Sequence, residues 1–423
     1  MEKYDLIVAG GGFAGCAAAI RAAEEGLRVL LVEQSNCLGG APANCLVNPF
    51  MPYSTQVGDR ELVLSKGLFQ EITDALKSFS RQYDTAIEGD TFNEEYLKII
   101  LARMVQEAGV ELLYRSYITG VEMDGNRVVS ITAANKSGNM RLEADYFIDA
   151  TGDADLTAMA GFPFRLGRAE DSLCQPMTLC FRVSNVDMEG FHQIRSQITP
   201  LYQEWKRQGK ITNPREDVLI FNTVIEGVLH FNTTRVVKLN PTDALDLTKA
   251  EIIAREQVLE LFLFLKENFD CFKNSHLLST AAQIGVRESR MIDGEYILTG
   301  KDLVACRCFD DAIALGNYDI DIHNPEGEGT SHYYFGAGEY YTIPYRTLVP
   351  KGSINLLTAG RCISVDHEAQ ASIRIMPIVS CLGEAAGLAI AQAKKAGIGV
   401  REINTDLLKE KLLQNGAELG LTT

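Results

Sequence analysis

The sequence predicts an α/β fold, a parallel sheet laid down in two pieces around a long insertion. Three observations predict it. The chain opens on an apolar run, YDLIVA (4–9), that ends in a glycine-rich turn and a small-residue helix pattern, CAAAIRAAEEG (16–26). A second apolar run, LRVLLVE (27–33), follows at once. Far downstream, SINLLTAG (353–360) repeats the strand-into-glycine pattern and runs on into an apolar, glycine-broken helix pattern. Short apolar runs bounded by glycine and alternating with helix patterns mark βαβ units.

The first turn decides what this sheet carries. Gly10, Gly12 and Gly15 form G-x-G-x-x-G, with Ala14 inside it, and Glu33 closes the second run. Strand, glycine turn, helix, strand and acid in that order are the dinucleotide-binding fingerprint. Gly10 permits the tight turn, Gly12 lets backbone approach a pyrophosphate, and Gly15 lets the helix pack on the strand. The helix N-terminus offers N–H groups and a positive dipole to the phosphates. Glu33 is placed to accept hydrogen bonds from a ribose.

Bulk composition bounds the rest. The 423 residues allow two or three domains, 46% hydrophobic and 23% charged content is ordinary for a globular protein, and a net charge of -16 argues against nucleic-acid binding. The start, MEKYDLIVAGGG, lacks the basic and apolar regions of a secretion signal, so a cytoplasmic location is expected. Residues 375–393 are apolar enough to raise a membrane span. Glu384 and Pro377 interrupt them, so a buried helix is expected. The ten cysteines include no CxxC pair, and reduced thiols are expected.

The stretch after Glu33 separates FAD from NAD. QSNCLGGAPANCLVNPFMPYS (34–54) is irregular and carries Gly39 and Gly40. NAD domains continue into another βα unit here, whereas flavoproteins place a loop that runs under the flavin. A helix is expected at 93–109, followed by a parallel strand in VELLYRS (110–116). Two hairpin turns, DGN and KSGN, then predict a three-stranded meander and a strand back to the sheet, ending at Gly152 and Asp153. That layout resembles glutathione-reductase-like FAD domains. SINLLTAG would be the last parallel strand, ending at Gly360 and Arg361, and a helix would start near Met376 or Pro377.

Residues 161–335 interrupt this pattern. The expected organisation is an FAD-binding part at 1–160, an inserted α+β substrate or cap domain at 161–335, and a C-terminal FAD-binding part at 336–423. A helix over 191–213 containing Trp205 reads as an exposed lid or cap, and 218–237 reads as a hairpin. Thr248 and Glu251 fit a capping box for a long helix. Its Ile252, Ile253, Leu259, Phe262, Leu263 and Phe264 read as core. Residues 318–350 read as a tyrosine-rich loop. Asp319, Asp321 and His323 alternate along it on one face. Further ligands are lacking, so no metal is expected.

Taken together, VAGGGFAGCAAAIRAAEEGLRVLLVE, IDATGDADL, VRESRMIDGEYILTGKDL, IDIH, YYTIPYRTLVP and NLLTAGRCISVDHEAQASIRIMPIVSCLGEAAGLAIA resemble the bacterial FAD-dependent oxidoreductases. These are distantly similar to succinate dehydrogenase and fumarate reductase flavoproteins. The resemblance covers almost the whole chain and implies FAD and fold, not substrate. The chain lacks a clustered CxxCxxC run for iron–sulfur clusters and a CxxxxC redox pair. Arg361 stands where many flavoproteins carry an acid.

The expected chemistry is hydride transfer between FAD and a small polar organic substrate. Arg287, Arg290 and Arg374 are the candidate grips, because the guanidinium fork suits anionic or carbonyl oxygens. His332, His367 and Tyr341 are the candidates for moving a proton. The alternative is a flavin-bearing electron-transfer subunit that serves a redox partner protein.

Overall fold

The computed structural model describes residues 3–420. Its main sheet runs in the order 111–113, 29–32, 4–9, 138–149, with 356–358 joined to the far side of 138–149. The pairings Leu6↔Val29, Ala9↔Asp149 and Ile148↔Leu357 are all parallel. The chain thus leaves this sheet at Asp149 and re-enters it at Leu356.

The third strand of the meander and the return to the sheet are one strand, not two. Over Gly138–Glu143 the strand pairs antiparallel with 127–135, which pairs with 117–124. From Ala144 on it pairs with the parallel strands. Its burial pattern changes there, from alternation to a continuous buried run at Tyr146–Asp149. A strand covered on one face alternates, and one covered on both does not.

Small residues set how the helices meet. Helix Phe13–Glu24 packs against helix Met376–Ala396 at backbone contact: a Cβ on Gly383 would sit 2.0 Å from the Ala14 carbonyl, and one on Gly387 2.3 Å from that of Ala18. Helix 376–396 is, among the described residues, the one helix long and apolar enough to cross a membrane. Of its most apolar 18-residue stretch, 89% is buried within the protein. Glu384, the charge that interrupts it, bonds the Arg21 guanidinium at 2.8 Å and accepts the Leu68 N–H at 3.0 Å. A charge buried on this helix is thus paired on both oxygens, as burial demands.

A second core lies between Met177 and Ile284. Its sheet runs 220–222, 229–231, 181–184, 276–280, all antiparallel, and helices Met188–Arg207 and Ala244–Asn268 cover it. Trp205 packs edge-on against Phe264, with ring centroids 5.2 Å apart, so helix 188–207 is a docked element and not an exposed lid. The long helix starts before the expected capping box. Asp243 caps it by accepting from Leu245 and Asp246, while the Thr248 hydroxyl donates back to the Ala244 carbonyl. Its buried face is Ala250, Ala254, Val258, Leu261, Phe264 and Leu265. Ile252, Ile253, Leu259 and Leu263, expected in the core, are exposed. The helix spreads its apolar and charged residues around the axis, and pattern alone does not choose its face.

The tyrosine-rich stretch is also more ordered than its composition suggests. It forms strands Ile320–His323, Thr330–Tyr333 and Tyr341–Pro344. The two cores are joined by a buried two-pronged pair, in which both Arg182–Glu94 contacts are 2.6 Å.

Candidate functional site

A cavity of about 340 Å³ runs along the C-terminal ends of the parallel strands. In open α/β sheets this edge is where ligands bind. One end is lined by Val32, Glu33, Ser116, Tyr117 and Ile118. Both Glu33 carboxylate oxygens accept backbone N–H groups, from Gly11 at 2.5 Å and Ser35 at 2.7 Å, which fixes the side chain at the cavity wall.

The middle is a cradle of backbone. Gly10, Gly12, Ala14, Gly39, Gly40 and Gly152 line it. A Cβ on Gly12 would meet only the Gly40 Cα, 3.9 Å away, so its missing side chain opens onto the cavity. Gly15 does different work and does not line the cavity. A Cβ there would lie 1.8 Å from the Gly10 carbonyl, so Gly15 is the contact that seats helix 13–24 on the turn. The first turns of helices 13–24 and 376–396 both reach the cavity, through Phe13 and Ala14 and through Met376 and Val379. Neither helix has a side-chain cap. Two uncapped N-termini leave N–H groups and positive dipole ends for a ligand. Open cradle, uncapped helices and ribose-side acid together fit a dinucleotide.

Beyond the cradle, Asp153, Gly360 and Arg361 line the wall. Arg361 donates to Asp153 Oδ1 at 2.6 Å, and its buried Nε has no hydrogen-bond partner. The far end is made by Thr178, Cys180, Asn232 and Arg287, by Arg374 of the C-terminal segment, and by Cys45 of the short helix Ala41–Cys45. Arg287 donates to the Pro176 carbonyl at 2.8 Å, Thr178 Oγ1 at 2.5 Å and Asn232 Oδ1 at 3.3 Å. All three partners are uncharged. Burial, together with the neighbouring Arg374, Arg215 and Arg235 cations, pulls its pKa down to about 9 against the opposing pull of the Asp321 carboxylate. Arg374 bonds the carbonyl and carboxylate of Asp321 at 3.3 and 3.4 Å, and its Nε is buried without a partner. Burial pushes the Cys45 and Cys180 thiols up to about 12, so neither is a ready thiolate.

The other four residues expected at the reactive end stand elsewhere. Arg290 donates to the Asp153 carbonyl and the Asp155 carboxylate, bracing the wall from behind. His367 is bonded through Nδ1 to Glu288, a fully buried carboxylate, at 2.7 Å. Tyr341 is buried against Ser372 at 2.6 Å, and burial raises its phenol pKa. His332 lies on the hairpin 320–323/330–333, against Asp319. None of the four lines the cavity. In the irregular segment before strand Arg290–Ile292, Arg287 lines the cavity while Glu288 bonds His367. Thr178, Asn232, Asn44 and the Gln283–Val286 loop line the cavity without having been singled out in the sequence. These are neutral residues in ordinary patterns, and the only signal near them is the VRESR charge cluster that follows the loop.

Comparisons with known proteins agree with this geometry. The sequence model of the FAD dependent oxidoreductase family matches residues 5–412. A digeranylgeranylglycerophospholipid reductase of Methanocella arvoryzae is 27% identical over 163 residues, 36% of this chain and 40% of that protein. A thiamine thiazole synthase of Aeropyrum pernix is 33% identical over 174 residues, 37% of this chain and 57% of that protein. Each match spans less than two thirds of the relative. Among solved structures, a p-nitrophenol 4-monooxygenase from Pseudomonas putida superposes with a TM-score of 0.50 at 11% identity, covering 97% of this chain and 84% of that one. A geranylgeranyl bacteriochlorophyll reductase-like protein from Thermoplasma acidophilum aligns over 99% of this chain and 85% of that one, with a TM-score of 0.46 at 13% identity.

Proposed function

This chain belongs to the FAD dependent oxidoreductase family, and on that premise we propose that it oxidises or reduces a small organic anion at the Arg287–Arg374 end of its cavity. The observation that carries the proposal is Arg287. It is a half-buried cation on the cavity wall whose hydrogen-bond partners are all neutral. Arg374, Arg215 and Arg235 crowd it with positive charge against the one carboxylate of Asp321, and an anionic ligand offsets that excess. Arg374 adds a second guanidinium with an unpartnered Nε. The planar fork of arginine binds a carboxylate through two parallel hydrogen bonds.

The rest of the cavity is assigned to FAD. The Gly10–Gly15 turn and helix 13–24 would hold the pyrophosphate and Glu33 the adenosine ribose. Arg361 and the first turn of helix 376–396 would hold the ring end. The continuous meander-to-sheet strand supports a glutathione-reductase-like variant of this domain. When bound, FAD supplies hydride exchange with the substrate at its N5. The protein binds and orients that substrate, and the segment 161–335 acts as its cap, contributing Thr178, Cys180, Asn232 and Arg287 to one wall. The relatives act on dissimilar molecules, so their substrates do not transfer to this chain.

An anaerobic screen of metabolites for loss of flavin absorbance tests the reading. Anionic donors should bleach the flavin and their neutral amides should not. Arg287→Met should load FAD normally and raise KM for the anionic donor about 10–100-fold, the worth of a charge-assisted hydrogen bond. Bleaching by a protein donor alone would favour the electron-transfer reading. Bleaching by neutral donors with equal efficiency would remove Arg287 from its role.

A further inference from the structure

A second cluster of chemistry-bearing side chains stands outside the cavity, on the hairpin of strands 320–323 and 330–333. Asp321 and His332 are direct cross-strand partners. Asp319 precedes Asp321 by two residues, and side chains two apart in an extended chain share a face. One oxygen of Asp319, one of Asp321 and a ring nitrogen of His332 lie within 4.8 Å of one another. His332 Nδ1 is 2.5 Å from Asp319 Oδ2, and Nε2 is 3.7 Å from Asp321 Oδ1. The Tyr334 ring stacks on the imidazole, with centroids 5.3 Å apart and planes 5° from parallel, which holds the ring's orientation.

The two oxygens of Asp321 are not equivalent. Oδ2 is crowded with donors: Tyr318 Oη at 3.1 Å, His323 Nε2 at 3.2 Å and Arg374 Nη2 at 3.4 Å. Oδ1 is buried, turned toward His332, and has no hydrogen-bond partner. Asp321 as a whole is 7% exposed. A buried carboxylate oxygen left without a donor carries a desolvation cost that ordinary folding removes. The sequence pattern points to His323 as the third member. The structure gives that nitrogen to the occupied oxygen and brings His332 across the hairpin to the free one.

We propose that Asp319, Asp321 and His332 form a binding site for one divalent transition cation. Two carboxylate oxygens and one imidazole nitrogen suit Mn²⁺, Zn²⁺ or Co²⁺, and the absence of a thiolate from the set disfavours soft ions such as Cu⁺. Three protein ligands leave the remaining positions to water. With metal–ligand bonds of about 2.0–2.2 Å, the His332–Asp319 contact would open slightly and the His332–Asp321 approach would tighten. That adjustment falls to His332, whose side chain is 34% exposed and stands at the solvent rim. That rim is also the entry path. Asp321 holds Arg374 through its other oxygen, and Arg374 lines the main cavity, so one carboxylate joins the cation site to the substrate end.

The test uses FAD-loaded protein stripped with EDTA, dialysed, and titrated with Mn²⁺ alone, free Mn²⁺ being read from its six-line EPR signal. One Mn²⁺ should bind per chain. Asp319→Asn and His332→Ala should each weaken it roughly tenfold or more, the scale of effect seen when a ligand's support is removed. Both positions are near the surface, and flavin absorbance and melting temperature of the metal-free variants should match the parent, which separates lost ligation from lost folding. No binding at millimolar Mn²⁺, or binding unchanged in both variants, would show an ordinary carboxylate–imidazole hydrogen-bond network and overturn the proposal.

Discussion

At the Gly10–Gly15 end the cavity wall is mostly backbone, from a βαβ unit within residues 4–33 and the loop behind it. At the Arg287–Arg374 end it is side chains, brought together from residues 178–180, 232, 284–287 and 374. The first end is specified by what must be missing, a Cβ. The second is specified by charges whose partners come from distant strands. Backbone sites leave a spacing in the sequence, because glycine is required wherever main chain meets main chain or ligand. Side-chain sites leave only residue types, and topology decides which of these meet.

The pair that locks the two ends together gives the largest expected effect. Arg182 lies on the strand next to Cys180 and bonds Glu94 on the helix beside the dinucleotide cradle. Glu94→Gln leaves a buried guanidinium without its counter-charge, which should cost about 3–5 kcal/mol in urea unfolding. A loss near zero would mean that the two cores hold together without it. Two alanine substitutions in the glycine turn sharpen the contrast within one end. Gly15→Ala places a methyl 1.8 Å from the Gly10 carbonyl and should destabilise the protein by about 3 kcal/mol. Gly12→Ala meets open space, so the flavin-free protein should melt like the parent while FAD loading falls. Equal effects of the two on melting would erase the distinction between packing glycine and cradle glycine.

The second core also carries an acid sensitivity that the dinucleotide end does not need. His230 is buried with neither ring nitrogen hydrogen-bonded, and burial, helped by Arg182, lowers its pKa from 6.5 to about 3. The unfolded chain therefore takes up a proton that the folded chain refuses. Stability is intact above pH 6.5 and drains as pH falls toward 3. From 6.5 down to about pH 5 this one residue should account for about 2 kcal/mol. His230→Leu should flatten that slope in melts recorded across pH. An unchanged slope would place the acid sensitivity elsewhere.

How much of this was legible in the sequence follows the same division. Gly10, Gly12, Gly39, Gly40, Gly152, Asp153, Gly360, Arg361 and Met376 all line the cavity, as their positions at strand and helix ends suggested. Arg287 and Arg374 do too. Arg290, His332, His367 and Tyr341 carry the same chemical promise, but Asp155, Asp319, Glu288 and Ser372 hold them away from it. Those partners are remote in the chain or on the opposite face of a strand, and no local pattern names them. Helix 244–268 teaches the same point about packing. Its leucines and isoleucines are spread around the axis among charged residues, and the sheet beneath it covers only one side.

The claim that a small anion sits at the Arg287–Arg374 end is tested most directly by equilibrium binding of a redox-inert carboxylate and its matching amide to the FAD-loaded protein. Malonate and malonamide, read by the shift in flavin absorbance, serve this purpose. Malonate should perturb the spectrum saturably, malonamide should not, and Arg287→Met should abolish the difference. Equal binding of the two, or a malonate response that survives Arg287→Met, would contradict the assignment.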